Sequence, residues 1–278
     1  MSSDSQYTPA TSTGSFDMSG RRVLVTGASR GIGRAVVETL SAAGADVAFT
    51  HADDAEGAGQ TVALARSDRR CVGFSIPNGT PDAPDRVVSE ATQAIGGIDV
   101  LVLNAWVDVR QPVFGLDMPT VERQVRANFL DNLELATRCA RNMRASGWGR
   151  LLFIGSINQV TPLPVLPVYA ALKCAMSSIM RSLAVELAEH GVTANSLLPG
   201  LVETDRNAHR RAPGGDWVWH STHSNYMKRA ALPGEIAGFA LFLCSEAGSF
   251  CTGSEYLVDG GAHIPGKLNW QQGSRRIC

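Results

Sequence analysis

The stretch from Arg22 to Gly44 constrains this chain more than any other. Arg22-Val23-Leu24-Val25 is a short apolar run of the kind that becomes a buried strand. It runs directly into Thr26-Gly27-Ala28-Ser29-Arg30-Gly31-Ile32-Gly33, and the sequence RAVVETLSAAGA then continues as a helix. The inner stripe of that helix is Ile32, Val36, Leu40 and Ala43, closing at Gly44. A strand, a glycine-rich turn and a helix in this order make a phosphate cradle. Gly27, Gly31 and Gly33 let the backbone come close to a pyrophosphate, Ser29 and Ile32 lie within the same turn, and the helix N-terminus offers free N–H groups and a positive dipole end.

The rest of the chain repeats the unit. Asp46–Thr50 reads as the second strand, Cys71–Phe74 as the third, Ile98–Leu103 as the fourth, Leu151–Ile154 as the fifth, Val192–Leu198 as the sixth and Tyr256–Val258 as the last. Helices are expected between them, at about 84–95, 120–146 and from Tyr169 onward, with Ala170, Cys174, Ile179, Leu183 and Leu187 on one side of the last. Apolar strands alternating with helices, without repeats or a linker, predict one doubly wound parallel sheet covered on both faces, an α/β fold of Rossmann type. Ligands in such sheets sit at the carboxyl ends of the strands. The expected division is an N-terminal tail at 1–19, one domain over 20–262 and a C-terminal tail at 263–278 that is free or reaches a neighbouring subunit.

Composition narrows the function classes. Among 278 residues the formal net charge is −1 and no basic run occurs, which speaks against nucleic acid as a main partner. No apolar run reads as long enough to cross a bilayer, and residues 1–19 lack the basic start and apolar core of a signal peptide, so a cytoplasmic protein without a membrane partner is expected. The six cysteines are scattered without a C-x-x-C pair. Cys71, Cys139, Cys174 and Cys244 fall in apolar segments, so buried reduced thiols and no metal are the expectation.

The end of the second strand selects the nucleotide. An acid about twenty residues after the glycine loop would hold a ribose 2′-hydroxyl. His51-Ala52 stands there instead, and Asp53 and Asp54 read as caps of the next helix. Arg30 and His51 are placed to face a 2′-phosphate, which favours NADP(H) over NAD(H); an exposed Arg30 at the surface is the alternative. A second constellation follows the fifth strand. Ser156 sits at its end, and Tyr169 and Lys173, four apart, share one helical face. A hydroxyl, a phenol and an ammonium so placed make an acid–base site.

These residues together resemble the short-chain dehydrogenase/reductase family in its compact single-domain form, over about residues 20–262. The resemblance rests on Thr26–Gly33, Asn128, Ser156 with Tyr169 thirteen residues on, Lys173, Pro199-Gly200 with Thr204, and Val258-Asp259-Gly260-Gly261. It implies hydride transfer between NAD(P) and a carbonyl or alcohol of a small-molecule substrate, in a homotetramer or homodimer. Tyr169 would be the acid or base. A free phenol titrates near about 10, so action at neutral pH asks for a drop of roughly 3 units, about 4 kcal/mol, from Lys173 and the oxidised nicotinamide. Lys173 would also hold the nicotinamide ribose, Ser156 the substrate oxygen, and Asn128 a water that relays protons to Lys173. The alternative for Asn128 is a side chain satisfied by backbone at a helix kink. Asn104, Ala105, Pro199, Gly200, Val202 and Thr204 would line the cofactor.

Two departures stand out. The family's Asn-Asn-Ala-Gly appears as Leu103-Asn104-Ala105-Trp106, so a large ring replaces glycine where cofactor and substrate meet; it forms a pocket wall or packs outside. The acid usual after the third strand is absent, with Phe74-Ser75-Ile76-Pro77 in its place. Residues 203–232 lose periodicity and carry Trp217, Trp219 and Tyr226, which suggests an aromatic lid over a medium-sized, cyclic or aromatic substrate. Gln159 would stand on the opposite wall. Reduction of a C=N bond, or a nucleotide-binding sensor that has lost catalysis, are the alternatives.

Overall fold

The structure is a computed structural model that describes residues 15–77, 80 and 82–265. Seven parallel strands form one sheet: β1 (Arg22–Val25), β2 (Asp46–His51), β3 (Cys71–Ser75), β4 (Val100–Leu103), β5 (Gly149–Ile154), β6 (Val192–Pro199) and β7 (Glu255–Val258). Their spatial order is β3-β2-β1-β4-β5-β6-β7. The order reverses between β1 and β4, which opens the crevice where ligands of doubly wound sheets bind.

Alternation along the strands feeds two cores. Val23 and Val25 of β1, Val100 and Val102 of β4, and Leu152 and Ile154 of β5 face one side. There they meet helices α1 (Gly31–Ala42) and α2 (Ala55–Leu64), and later in the chain the helix at Pro233–Cys244. Leu24, Leu101, Leu103, Leu151 and Phe153 face the other side. They meet α3 (Ala83–Ile95), α5 (Asp131–Ser146) and α6 (Pro167–Leu187), while α4 (Met118–Val125) precedes α5 and packs against α6. Because side chains alternate with a period of two, Ile154 and Phe153 necessarily end on opposite faces.

Four sequence expectations change in detail. The helix expected at 120–146 is two helices joined by one π turn, Arg126–Leu130, with Asn128 at its centre. The buried face of α6 is Ala170, Lys173, Met176, Ser177, Met180, Ala184 and Leu187, and Cys174, about 100° round the helix from Lys173, is exposed. Cys139 and Cys244 are buried and Cys71 partly so, and burial pushes their thiols up to about 12, 12 and 11. Among the described residues one helix, Pro167–His190, is long and apolar enough to cross a membrane; it is α6 with one more turn, and its inner face lies on the sheet.

Residues 15–19 belong to the body. Met18 is 1% exposed and its N–H donates to the Ala43 carbonyl. Residues 1–14 and 266–278 of the expected tails lie outside the described residues. Between β6 and the last helix the chain makes α7 (Ala208–Arg211) and α8 (Trp217–His223), then enters α9 (Pro233–Cys244). The base of this excursion is pinned by a parallel bridge between Val202 and Ala231.

Candidate active site

The carboxyl ends of β1, β2, β4, β5 and β6 surround a cleft of about 610 Å³. Gly27, Ser29, Arg30, Gly31, Ile32 and Gly33 line one end with His51, Asn104 and Ala105. Trp106, Ser156, Tyr169, Lys173, Pro199, Gly200, Val202 and Thr204 line the other.

The glycine turn is shaped by contacts that leave no room for side chains. A Cβ on Gly33 would stand 2.5 Å from the Gly27 carbonyl oxygen and 2.6 Å from Asn104 Nδ2. Gly27 has φ +67° and its absent Cβ would meet Ala105 Cα at 2.8 Å. Asn104 therefore does more than line the cleft. Its Nδ2 donates to the carbonyls of Thr26 (3.0 Å) and Gly27 (2.8 Å), while the Thr26 hydroxyl accepts from the N–H groups of Asn104 and Ala105, both at 3.0 Å. These bonds tie the ends of β1 and β4 together. Arg34 bends back to donate to the Ser29 carbonyl, to the Thr61 hydroxyl (3.2 Å) and to the Gly57 carbonyl (3.3 Å). The roles of Thr26, Arg34 and Thr61 were not visible as sequence signals, since they depend on which loops meet.

The cleft fits a dinucleotide on three counts. Nothing caps the N-terminus of α1 with a side chain and no acid lies in its first turn, so its N–H groups are free for an anion. The glycine cradle would be filled by any Cβ. Beside the glycine turn, at the end of β2, His51 is 9% exposed and its Nδ1 lacks a hydrogen-bond partner. Asp54 is engaged as the cap of α2, its carboxylate accepting from Gly57 N–H at 2.9 Å and held below the usual range, chiefly by the Ser29 hydroxyl. Arg30 is exposed at the same rim.

At the far end Ser156 and Lys173 are buried and Tyr169 is half-buried. Ser156 (8% exposed) ends β5, and its hydroxyl hydrogen-bonds the Tyr169 phenol. Burial nevertheless dominates and pushes Tyr169 above its ordinary value, against the lowering by Ser156 and Arg206. The downward pull expected from Lys173 is thus not present in the chain alone. Lys173 (2% exposed) donates from Nζ to the Ile154 carbonyl at 2.6 Å. Burial, and then Arg206, hold its ammonium well below the ordinary lysine range.

Trp106 packs inward. Its ring lies edge-on to Tyr169, centroids 5.5 Å apart, and 3.7 Å from Lys173 Nζ, and it forms part of the cleft wall. Asn128 is fully buried, and its amide is satisfied by backbone: Oδ1 accepts from Val107 N–H (2.8 Å) and Nδ2 donates to the Val107 carbonyl (2.6 Å). Gln159 does not reach the cleft, because its Oε1 accepts from Ser156 N–H (3.0 Å) and its Nε2 donates to Ser177 (2.9 Å). Trp217 is also away from it, with the Arg211 guanidinium over its ring at 5.6 Å. The segment that does border the cleft is Thr204–Asn207, where Arg206 pairs with Asp108 at 2.7 Å across the mouth. No cluster of three or more His, Cys, Asp or Glu suited to a metal occurs among the described residues.

The fold and this cleft define a nicotinamide-nucleotide oxidoreductase of the doubly wound class. The family model described as enoyl-(acyl carrier protein) reductase matches residues 27–263. The 3-oxoacyl-[acyl-carrier-protein] reductase of Mycobacterium tuberculosis is 33% identical over 87% of this chain and 92% of that protein. The L-rhamnose 1-dehydrogenase (NAD(P)(+)) of a Sphingomonas strain is 29% identical over 89% of this chain and 98% of its own length. A crystal structure of 3-oxoacyl (acyl-carrier-protein) reductase from Agrobacterium tumefaciens with NADP bound superposes with a TM-score of 0.83, at 35% identity, covering 90% of this chain and 97% of that one. The chain belongs to the short-chain dehydrogenase/reductase family.

Proposed function

We propose that this protein is an NADP(H)-dependent oxidoreductase that interconverts a carbonyl and a secondary alcohol on a medium-sized substrate. The observation that carries the reading is the meeting of a half-buried, Ser156-bonded Tyr169 and a buried Lys173 with the glycine cradle in one cleft. NADP(H), when bound, supplies or accepts the hydride. The glycine turn and the α1 N-terminus would hold its pyrophosphate, and His51 and Arg30 would face its 2′-phosphate. Ser156 would orient the substrate oxygen by a hydrogen bond. Tyr169, kept protonated by burial in the free protein, is prepared to give its proton to a carbonyl oxygen. Lys173 would contact the nicotinamide ribose and, when charged, favour the phenolate left behind. Pro199, Gly200, Val202 and Thr204 would line the nicotinamide end. Trp106 beside Tyr169 supports a substrate with an apolar or ring-containing part. The protein would work in the cytoplasm as a homodimer or homotetramer.

NADPH consumption, followed by absorbance, tests this against acetoacetyl thioesters, cyclic ketones and cyclic imines, with the reverse reaction run on L-rhamnose and D-glucose. Turnover that prefers NADPH and falls by about 10²–10⁴ in Tyr169→Phe is the expected result. Turnover on imines alone would move the reaction to C=N bonds. NADPH binding without turnover on any member, in a protein whose Tyr169→Phe variant behaves identically, would favour a sensor.

A further inference from the structure

The Ser156 hydroxyl and the Tyr169 phenol meet although they come from different elements, one from the loop after β5 and the other from α6. That loop is tied to α6 at two rungs. Lys173 Nζ donates to the Ile154 carbonyl at 2.6 Å, and one turn further along the helix Ser177 reaches Ser156 through Gln159. Gln159 Oε1 accepts from the Ser156 N–H at 3.0 Å, and its Nε2 donates to Ser177 Oγ at 2.9 Å. The Ser177 hydroxyl donates onward to Ser196 Oγ on β6 at 3.1 Å. Ser177 and Ser196 are each 1% exposed, and Ser177 shares its buried stripe with Met176, Met180 and Ala184. Hydroxyls buried among such groups cost stability unless bonded, and this run of donors satisfies them in one direction. A flipped Gln159 amide would set its NH2 against the Ser156 N–H, so its orientation is fixed. The Gln159 carbonyl is held by α6 as well, accepting from the Cys174 thiol at 3.7 Å. A Cβ at Gly155 would run into Gln159 Oε1, so the glycine leaves room for this contact.

We propose that Gln159 is a positioning residue: with Ser177 and Ser196 it forms a buried strut that fixes Ser156 against α6 and so sets the aim of the Ser156 hydroxyl at Tyr169 and at the substrate oxygen. The inference rests on the reading of Ser156 and Tyr169 given above. Ser156 caps the short turn Ile157–Gln159, its Oγ accepting from the Asn158 N–H at 3.2 Å. That leaves the hydroxyl proton for Tyr169 or a bound oxygen. Capping fixes the turn to itself and not to the helix that carries Tyr169. The Gln159 rung makes the second link, and it uses no group that the proposed reaction moves. An error of about 1 Å between reacting groups can cost about 10²-fold in rate, and a strut between loop and helix guards against it.

The first readout is Tyr169 ionisation without any substrate, as the alkaline absorbance change of each protein minus that of its Tyr169→Phe counterpart. The Ser156 hydroxyl favours the ionised phenol, so Ser156→Ala should hold the Tyr169 proton about threefold or more tightly. Gln159→Met should shift the midpoint in the same direction, and in a Ser156→Ala background it should add nothing further. Ser177→Ala should behave alike and serves if Gln159→Met does not fold. The second readout is NADPH-dependent turnover, where Gln159→Met should lower kcat about tenfold or more and leave KM within about twofold. Gln159→Glu keeps an acceptor for the Ser156 N–H and should hold kcat within about threefold. A midpoint unmoved in both Gln159→Met and Ser177→Ala, or a shift that adds in full to that of Ser156→Ala, overturns the proposal. Its failure is separable from that of the underlying reading: NADPH turnover intact in Tyr169→Phe sinks the latter, whereas Tyr169-dependent turnover with kcat indifferent to residues 159 and 177 sinks only this one.

Discussion

Gly33 and Lys173 show how single residues are held to one identity by opposite forces. At Gly33 the constraint is volume, because a Cβ would press on the Gly27 carbonyl and on the Asn104 amide that ties the turn to β4. Gly33→Ala should weaken NADPH binding tenfold or more, read by fluorescence titration, while Gly238→Ala, with nothing near its absent Cβ and an ordinary helical backbone, should leave binding unchanged. At Lys173 burial of an ammonium works against stability. Folding opposes its proton, so the penalty is complete below the folded pKa and shrinks as pH rises from there. It is gone above the ordinary lysine range. Lys173→Met should therefore melt higher than the natural protein near about pH 6–7, at about 2–4 °C for each kcal/mol, with the gain fading towards about pH 10–11. A gain that grows with pH would contradict this sign. Tyr169 runs the other way: its raised phenol is a source of stability lost as pH climbs through its folded value.

Elements hold the site by hydrogen bonds that cross between loops, and this is where the sequence stopped being readable. The strands were visible because each is a short apolar run, and Ser156, Tyr169 and Lys173 because their spacing follows strand end and helix turn. The inner face of α6 was misread because its apolar residues run nearly all round, while the buried stripe carries Lys173 and Ser177. Gln159 and Trp217 were assigned to the pocket by type, but a glutamine that bonds Ser156 and Ser177 and a tryptophan turned to Arg211 serve the loops themselves. Arg206 is one of the loop residues at the cleft, and it shows no pattern until Asp108 is placed opposite. Both are partly exposed, so the pair is worth about 0.2–1 kcal/mol. Asp108→Asn should thus leave the melting temperature within about 2 °C yet speed amide exchange at 204–211, measured by mass spectrometry.

On the scale of the whole molecule the site and the core are the same object. Phe153 is fully buried and its ring also faces Lys173 Nζ, and α6 packs Met176 and Met180 under the residues it presents to the cleft. Met180→Ala should cost about 2–5 kcal/mol. Cofactor binding should act on that same cooperative unit. NADPH at a hundred times its Kd adds about 2.7 kcal/mol, a rise of roughly 5–10 °C in a single calorimetric transition. A transition that splits on adding NADPH would show that the cleft melts apart from the sheet. The bridge between Val202 and Ala231 has a different consequence. It brings the two ends of a long excursion side by side at the edge of the cleft, so the intervening stretch behaves as an exchangeable cassette. Doubling the length of a closed loop costs only about 0.6 kcal/mol in closure entropy. A lineage built on this frame is free to rewrite which substrate it favours by insertion, deletion or recombination there, while the glycine cradle and the Ser156, Tyr169 and Lys173 cluster are inherited intact.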